Sequence, residues 1–178
     1  MAVSPYCTIG PFFPASFVQG HEDLTHYRGG NARGQHIVLS GRILQEGGVP
    51  TRNTILEIWQ TDANGIFSSC PDADPGFSGW GRARTDAEGW YKIKTVLPGG
   101  YDGRCPHANL MILAIGLTRR LVTTVFFSDD PDTVKDPVLD CVTDPAARKR
   151  LFATRGAADA YRFDIILRGE NETPFFLD

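Results

Sequence analysis

The sequence predicts an all-β fold in which two sheets pack against each other as a sandwich. Turn-forming residues are frequent, with 19 Gly and 12 Pro among 178 residues. The apolar segments between them are short and rich in β-branched and aromatic residues. Two of these segments alternate polar and apolar side chains, so each has one buried and one solvated face. Packing two sheets together buries such faces most simply.

Six segments have the length and composition of strands, and turn residues separate them. Alternation is clear in the third and the last of them. The fourth, Ala108–Ile115, is apolar on both faces apart from Asn109, which predicts a central strand buried between layers. The predicted strands are His36–Leu44, Thr54–Gln60, Trp90–Val96, Ala108–Ile115, Leu121–Phe127 and Ala160–Leu167.

One short helix is predicted near the C-terminus. Asp144 can cap it, Pro145 suits the first helical position, and Ala146–Phe152 follows with basic residues toward its end. The first 34 or so residues show no clear periodicity, which indicates an arm lying across a surface. We therefore expect residues 1–178 to form a single domain with an N-terminal arm of about residues 1–34.

Charge and motifs exclude several classes of function. The 18 basic and 21 acidic residues are scattered and give a net charge of -3, so we expect neither nucleic acid nor a membrane as a partner. The longest apolar stretch, Leu110–Leu117, is too short to cross a bilayer, and no signal pattern precedes it, which predicts a cytoplasmic location. The sequence has no G-x-S-x-G motif and no phosphate-binding glycine loop, which argues against a hydrolase or a nucleotide site.

Five segments, in a fixed order, carry a family resemblance. They read TIGPFFP at 8–14, LEIWQTDANG at 56–65, GFSGWGRARTDAEGWYKIKTVLPGGY at 76–101, PHANLMILAIGLTRRLVTTVFF at 106–127 and AYRFDIILRGENETPFF at 160–176. Together they resemble the intradiol ring-cleavage dioxygenases, and in particular the α-type chains of members that act on protocatechuate. The resemblance spans nearly the whole chain and implies the β-sandwich of that family.

In catalytic chains of this family, two tyrosines and two histidines hold ferric iron, with the histidines spaced as H-x-H on a strand. The resemblance places these four positions at Phe67, Tyr101, His107 and Asn109. Phenylalanine has no lone pair, and an amide oxygen is a poor substitute for imidazole, so we expect no metal here. We assign no catalytic residue to this chain, and expect Tyr101 and His107 to pack or hydrogen-bond at a strand end.

The strand that follows raises two further expectations. His107 and Asn109 share a face with Met111, Leu113 and Ile115, and we expect these three apolar residues to pack in the core. Ile115 also stands where α-type chains of the family commonly have an arginine that faces the shared substrate pocket. Its replacement by isoleucine predicts a catechol with a substituent different from that of protocatechuate.

The N-terminal TIGPFFP segment has a separate meaning. In the α-type chains that it resembles, the arm reaches the iron pocket of the partner chain and lines it with a T-x-G-P sequence. The resemblance therefore makes Thr8, Gly10, Pro11 and the adjoining Phe12 pocket-lining residues. Without the resemblance, the same segment is read as a plain surface turn.

The resemblance implies an α-type subunit that works beside a homologous β-type partner, which binds the Fe(III), in a higher hetero-oligomer of αβ protomers. The complex is expected to use O2 to open a catechol ring between its two hydroxylated carbons. Two alternatives stay open. In the first, the chain is a non-catalytic binding or assembly module built on the same scaffold. In the second, it is an autonomous metalloenzyme that uses Tyr101 and His107 with a ligand from elsewhere.

Overall fold

The computed structural model describes residues 13–177. Within this range the chain consists of short strands and a few helical turns, and 3-10 turns lie at Ala15–Phe17 and Glu46–Gly48. The other elements, in chain order, are β1 (His26–Tyr27), β2 (Gly30–Asn31), β3 (His36–Leu44), β4 (Ile55–Trp59), β5 (Trp80–Arg84), β6 (Trp90–Val96), β7 (His107–Leu113), β8 (Leu121–Phe126), α1 (Pro137–Asp140), α2 (Pro145–Lys149), β9 (Thr154–Arg155), β10 (Ala160–Arg162) and β11 (Ile165–Ile166).

Two sheets carry most of these strands. In the first, β3 pairs antiparallel with β6 on one edge and parallel with β10 and β11 on the other, and β9 pairs with β10. The second is antiparallel throughout, in the order β5, β4, β7, β8. The hairpin of β1 and β2 is separate. The predicted two-sheet β-sandwich is confirmed.

The core lies between the sheets, because each sheet contributes alternate apolar side chains from one face. In β6 every second residue is buried, as the alternation predicts. The core residues, each at most 5% exposed, include Leu39, Ile43, Ile93, Tyr161 and Phe163 from the first sheet and Leu56, Ile58, Leu110 and Ile112 from the second.

The two-residue strands β1, β2 and β9 were not predicted, and two longer segments also differ from the prediction. The segment Ala160–Leu167 is broken into β10 and β11, since the Asp164 carboxylate accepts the Arg42 N–H at 2.9 Å where a backbone carbonyl would continue the ladder. β5 was not predicted, because Gly81 interrupts its apolar face. A Cβ at Gly81 would lie 2.6 Å from the His21 carbonyl oxygen and 2.3 Å from Leu24 Cδ1, so the close approach of the His21 backbone requires glycine.

The prediction that Met111, Leu113 and Ile115 pack in the core is wrong. The residues of β7 that face the other sheet are the alternate ones, such as Leu110 and Ile112, which are at most 1% exposed. Met111 and Leu113 are half-buried on the outer face, and Ile115 lies in a turn after the strand, 48% exposed. Both faces of this strand are apolar, so the sequence pattern did not distinguish inner from outer.

The helical prediction is confirmed at its start. The Asp144 carboxylate accepts the N–H groups of Ala146 and Ala147 at 3.0 and 3.1 Å, but α2 ends at Lys149 rather than Phe152. A second short helix, α1, was not predicted, and its N-cap is another aspartate followed by proline. Among residues 13–177, no helix combines the length and apolar character needed to cross a membrane.

Candidate functional site

One end of the second sheet gathers the predicted ligand positions. β7 begins at His107, and His107 and Asn109 both project from its outer face, away from the core. Tyr101 lies in the loop before β7, where a tight turn brings the Arg104 N–H to the Tyr101 carbonyl at 2.7 Å. Phe67 lies in the loop that follows β4. Strand pairing between β4 and β7 brings these two loops to the same end of the sheet.

Three of the four positions form a contiguous stack. The ring centroids of Phe67 and Tyr101 are 4.8 Å apart at an interplanar angle of 69°. The Tyr101 hydroxyl lies 3.3 Å from His107 Nε2. Asn109 follows on the same face, but its Oδ1 accepts a hydrogen bond from Thr124 Oγ1 at 2.9 Å. The expected hydrogen bonding of Tyr101 and His107 is present, whereas Asn109 is held by the neighbouring strand.

The hydrogen bonds of His107 define its protonation. Its Nδ1 lies 2.7 Å from the carbonyl oxygen of Cys105, and a carbonyl only accepts, so Nδ1 carries the proton. Nε2 is then free to accept from the Tyr101 hydroxyl. The residue is 2% exposed. This burial lowers the pKa of His107 and nearby Arg104 lowers it further, against the opposite effects of the Cys105 carbonyl and Asp136. The imidazole is therefore stabilised in its neutral form.

Asp136 supports the loop that carries this cluster. It is 1% exposed, and its carboxylate accepts from Arg104 Nε at 2.9 and 2.8 Å, from Cys105 N at 3.0 Å and from Val138 N at 2.9 Å. The same carboxylate therefore caps α1 and also holds Arg104 and Cys105, which lie just before His107. Sequence reasoning missed Asp136, although an aspartate before a proline is the signal that located α2.

Comparison with known proteins establishes the family. The chain is 39% identical over 173 residues to the protocatechuate 3,4-dioxygenase β chain of Burkholderia cepacia, covering 85% of this chain and 73% of that one. It is 37% identical over 157 residues to the α chain from Pseudomonas putida, covering 82% and 78%. A family model described as Dioxygenase matches residues 8–169. The chain belongs to the intradiol ring-cleavage dioxygenase family.

A solved structure supports the same assignment. The dioxygenase domain of a dioxygenase and carbohydrate-binding protein fusion from Streptomyces sp. SirexAA-E matches this intradiol dioxygenase chain with a TM-score of 0.61 and 25% identity. The match covers 92% of this chain and 96% of that one. The β-sandwich described above is thus the fold of the family and not a feature of this chain alone.

The side chains at the four ligand positions that the resemblance predicts do not fit a ferric ion. Phe67 offers no donor atom, and the Asn109 amide oxygen is a neutral group already bonded to Thr124. The phenol of Tyr101 and the imidazole of His107, which remain, bond to each other. In the part of the chain that the structure describes, no group of three or more His, Cys, Asp or Glu is placed to hold a metal ion. No reaction step is assigned to iron on this chain.

Of the five pocket-lining residues expected from the sequence, Ile115 alone lies within the described residues. Thr8, Gly10, Pro11 and Phe12 fall outside the described residues, so their role, like the extent of the arm, stays a prediction. Ile115 follows the end of β7, and roughly 20 Å of strand separates that end from His107. The structure therefore does not bring Ile115 to the cluster of its own chain, and a place beside a partner's pocket also stays a prediction.

Proposed function

We propose that this chain is the iron-free, α-type subunit of an intradiol catechol dioxygenase, and that a homologous β-type partner holds the iron. The observation that supports this is the loss of donors at Phe67 and Asn109 within an otherwise retained family fold. Overall identity does not separate the two chain types, since 39% to a β chain and 37% to an α chain are nearly equal. The ligand positions therefore carry the assignment.

In this proposal the chain completes the pocket of its partner within a cytoplasmic hetero-oligomer of αβ protomers. The complex uses O2 to open a catechol between its two hydroxylated carbons, and the arm of this chain lines the pocket with Thr8, Gly10, Pro11 and Phe12. An isoleucine at position 115 cannot pair with a carboxylate as an arginine can. We therefore propose a catechol other than protocatechuate as the preferred substrate.

Iron content tests the proposal directly. We expect the chain purified alone to be colourless and iron-poor, and the complex with its β-type partner to contain iron and to consume O2 with a catechol. Elemental analysis, visible absorption and an oxygen electrode measure these properties. Stoichiometric iron with a tyrosinate absorption band in the isolated chain would contradict it. A complex without iron or activity would favour the assembly module.

Substitutions in the arm test its contact with substrate. Gly10→Val adds bulk and restricts the backbone where close approach is needed, so we expect a large loss of turnover with iron content and assembly unchanged. Thr8→Ala removes one hydroxyl and should weaken transition-state binding, measured through kcat/KM, by about 1 kcal/mol. Steady-state kinetics of the reconstituted complex measure both. If Gly10→Val and Ile115→Arg both leave the kinetics unchanged, this chain does not reach the active site.

A further inference from the structure

Arg82, on the outer face of β5, joins the second sheet to the N-terminal segment. Its Nε donates to Glu57 Oε1 at 2.8 Å, and its Nη2 donates to the same oxygen. Its Nη1 donates to the carbonyl oxygen of Phe17 at 2.8 Å. The side chains of Arg82 and Glu57 are only 14% and 16% exposed, so this ion pair is shielded from solvent far better than a surface pair.

Two aromatic rings lie close to the same guanidinium. Arg82 Cζ lies 3.5 Å from the centroid of the Phe17 ring and 4.9 Å from that of Trp80. Phe13 stacks on Phe17 with centroids 5.4 Å apart and an interplanar angle of 20°. Phe17 thus receives a charge-assisted hydrogen bond at its carbonyl and a cation–π contact at its ring, both from one side chain.

In the part of the chain that the structure describes, the turn that contains Phe17 forms no backbone-to-backbone hydrogen bond with either sheet. Ala15–Phe17 is a single 3-10 turn with no buried residue, and its hydrogen bonds close within the turn, such as that from Phe17 N to Pro14 O at 2.9 Å. The chain becomes fully buried only at Leu24, 0% exposed. The Arg82 side chain therefore supplies the hydrogen bond that ties Phe17 itself to the second sheet, and the backbone is next held at His21, whose carbonyl accepts from Arg82 N at 2.7 Å.

We propose that Arg82 is a positioning residue that fixes where the N-terminal arm leaves the domain. The inference rests on the proposed function, in which the arm lines the partner's pocket. Thr8, the first residue of the T-x-G-P segment, lies five residues before Phe13, and a chain of that length spans at most about 18 Å. The point at which the arm leaves the domain therefore limits which surface of a partner the T-x-G-P segment can reach.

The first test measures the anchor on the full chain. Arg82→Met removes the guanidinium, and Arg82→Lys keeps the charge but cannot bond Glu57 and Phe17 and stack on the ring together. Arg84 supplies the control: it lies two residues further on the same strand face, and its Nη2 donates to Asn53 Oδ1 at 3.1 Å. We expect chymotrypsin to cut after Phe17 about tenfold faster in Arg82→Met, and less so in Arg82→Lys, because the turn opens more often.

In Arg84→Met and Arg84→Lys, the rate of cleavage after Phe17 should equal that of the unsubstituted chain. The melting temperature of Arg82→Lys should also equal that of the unsubstituted chain. Cleavage after Phe17 that is no faster in either Arg82 variant than in its Arg84 control would overturn the anchor. If Arg82→Met does not fold, Arg82→Lys decides the question.

The second test uses the complex with the β-type partner. If the anchor positions the arm for the partner's pocket, Arg82→Lys should raise KM for the catechol several-fold with little change in kcat, iron content or assembly. A loss of general stability alone would not produce that split. Faster cleavage together with unchanged KM would leave the anchor standing and overturn the role of the arm in the partner's pocket. The cleavage rate thus tests the Arg82 anchor, and KM separately tests the role of the arm in the partner's pocket.

Discussion

The family resemblance predicts a ligand position at His107, yet both its ring nitrogens are engaged within the chain. Nδ1–H donates to Cys105 O, and Nε2 lies 3.3 Å from the Tyr101 hydroxyl. The ring also packs 5.7 Å from that of Phe126, centroid to centroid. Protonating Nε2 would place a positive charge on a buried ring, and the loss of solvation disfavours that charge. The neutral imidazole is therefore part of the folded structure.

This arrangement predicts a pH dependence of stability. Because the pKa of His107 is lowered on folding, the unfolded chain takes up the proton first as pH falls. The stabilisation is complete above the unfolded pKa of about 6.5 and is lost as pH falls through the lower folded pKa. We expect the free energy of unfolding to decrease below about pH 6.5, and His107→Gln to weaken that decrease. Urea unfolding at a series of pH values on both sides of 6.5 measures this decrease in both proteins.

The matched control is His26→Gln, since the His26 side chain is 64% exposed. An unchanged pH dependence in His107→Gln would contradict the neutral buried imidazole.

At the scale of elements, α1 and the loop before β7 are held by one carboxylate. Asp136 caps α1 at Val138 N and also binds Arg104 Nε and Cys105 N. Asp144 caps α2 in the same Asp-Pro context, but its side chain is 60% exposed. The two caps therefore differ in burial and charge pairing rather than in local sequence.

We predict that this difference appears in stability. Asp136→Ala leaves Arg104 without its buried partner and should cost about 3 to 5 kcal/mol. Asp144→Ala removes an exposed cap and should cost about 1 kcal/mol. Chemical denaturation of both variants measures the two losses. Equal losses would show that Asp136 acts only as a helix cap.

At the scale of the whole molecule, the outer faces of the two sheets differ in how their tryptophans are covered. Trp59 is 59% exposed on the second sheet, beside its cross-strand neighbours Trp80 and Asn109. Trp90, on the first sheet, is 38% exposed and carries two arginine side chains, Arg42 at 5.7 Å and Arg162 at 5.0 Å from its ring centroid. Among residues 13–177, Trp59 on the second sheet is thus the more exposed of the two rings, and Trp90 on the first sheet is partly covered by arginine side chains.

We expect the chain without its partner to self-associate through this exposed ring, because uncovered apolar area favours association. Trp59→Ser should increase the monomer fraction in sedimentation velocity, whereas Trp90→Ser should not. Co-expression with the β-type partner should raise the apparent melting temperature of the chain. A concentration-independent monomer would contradict an obligate subunit.

The sequence alone determined the features that depend on local pattern or on residue identity. Strand alternation located β6 with its observed bounds, and apolar composition between turn residues located β3. The Asp144–Pro145 pair located α2, because period and capping act over a few residues. The absence of suitable donors at Phe67 and Asn109 also follows from chemical identity, whatever the fold.

The tertiary structure decided what depends on contacts between distant segments. It showed that the outer face of β7 carries Met111, that Asp136 holds the loop before His107, and that Arg82 holds Phe17, 65 residues away in the chain. A strand that is apolar on both faces, a buried carboxylate and an arginine all have many partners open to them in an unfolded chain. Only the packing of the two sheets selects one, because the energy of each contact depends on geometry and burial that no local pattern encodes.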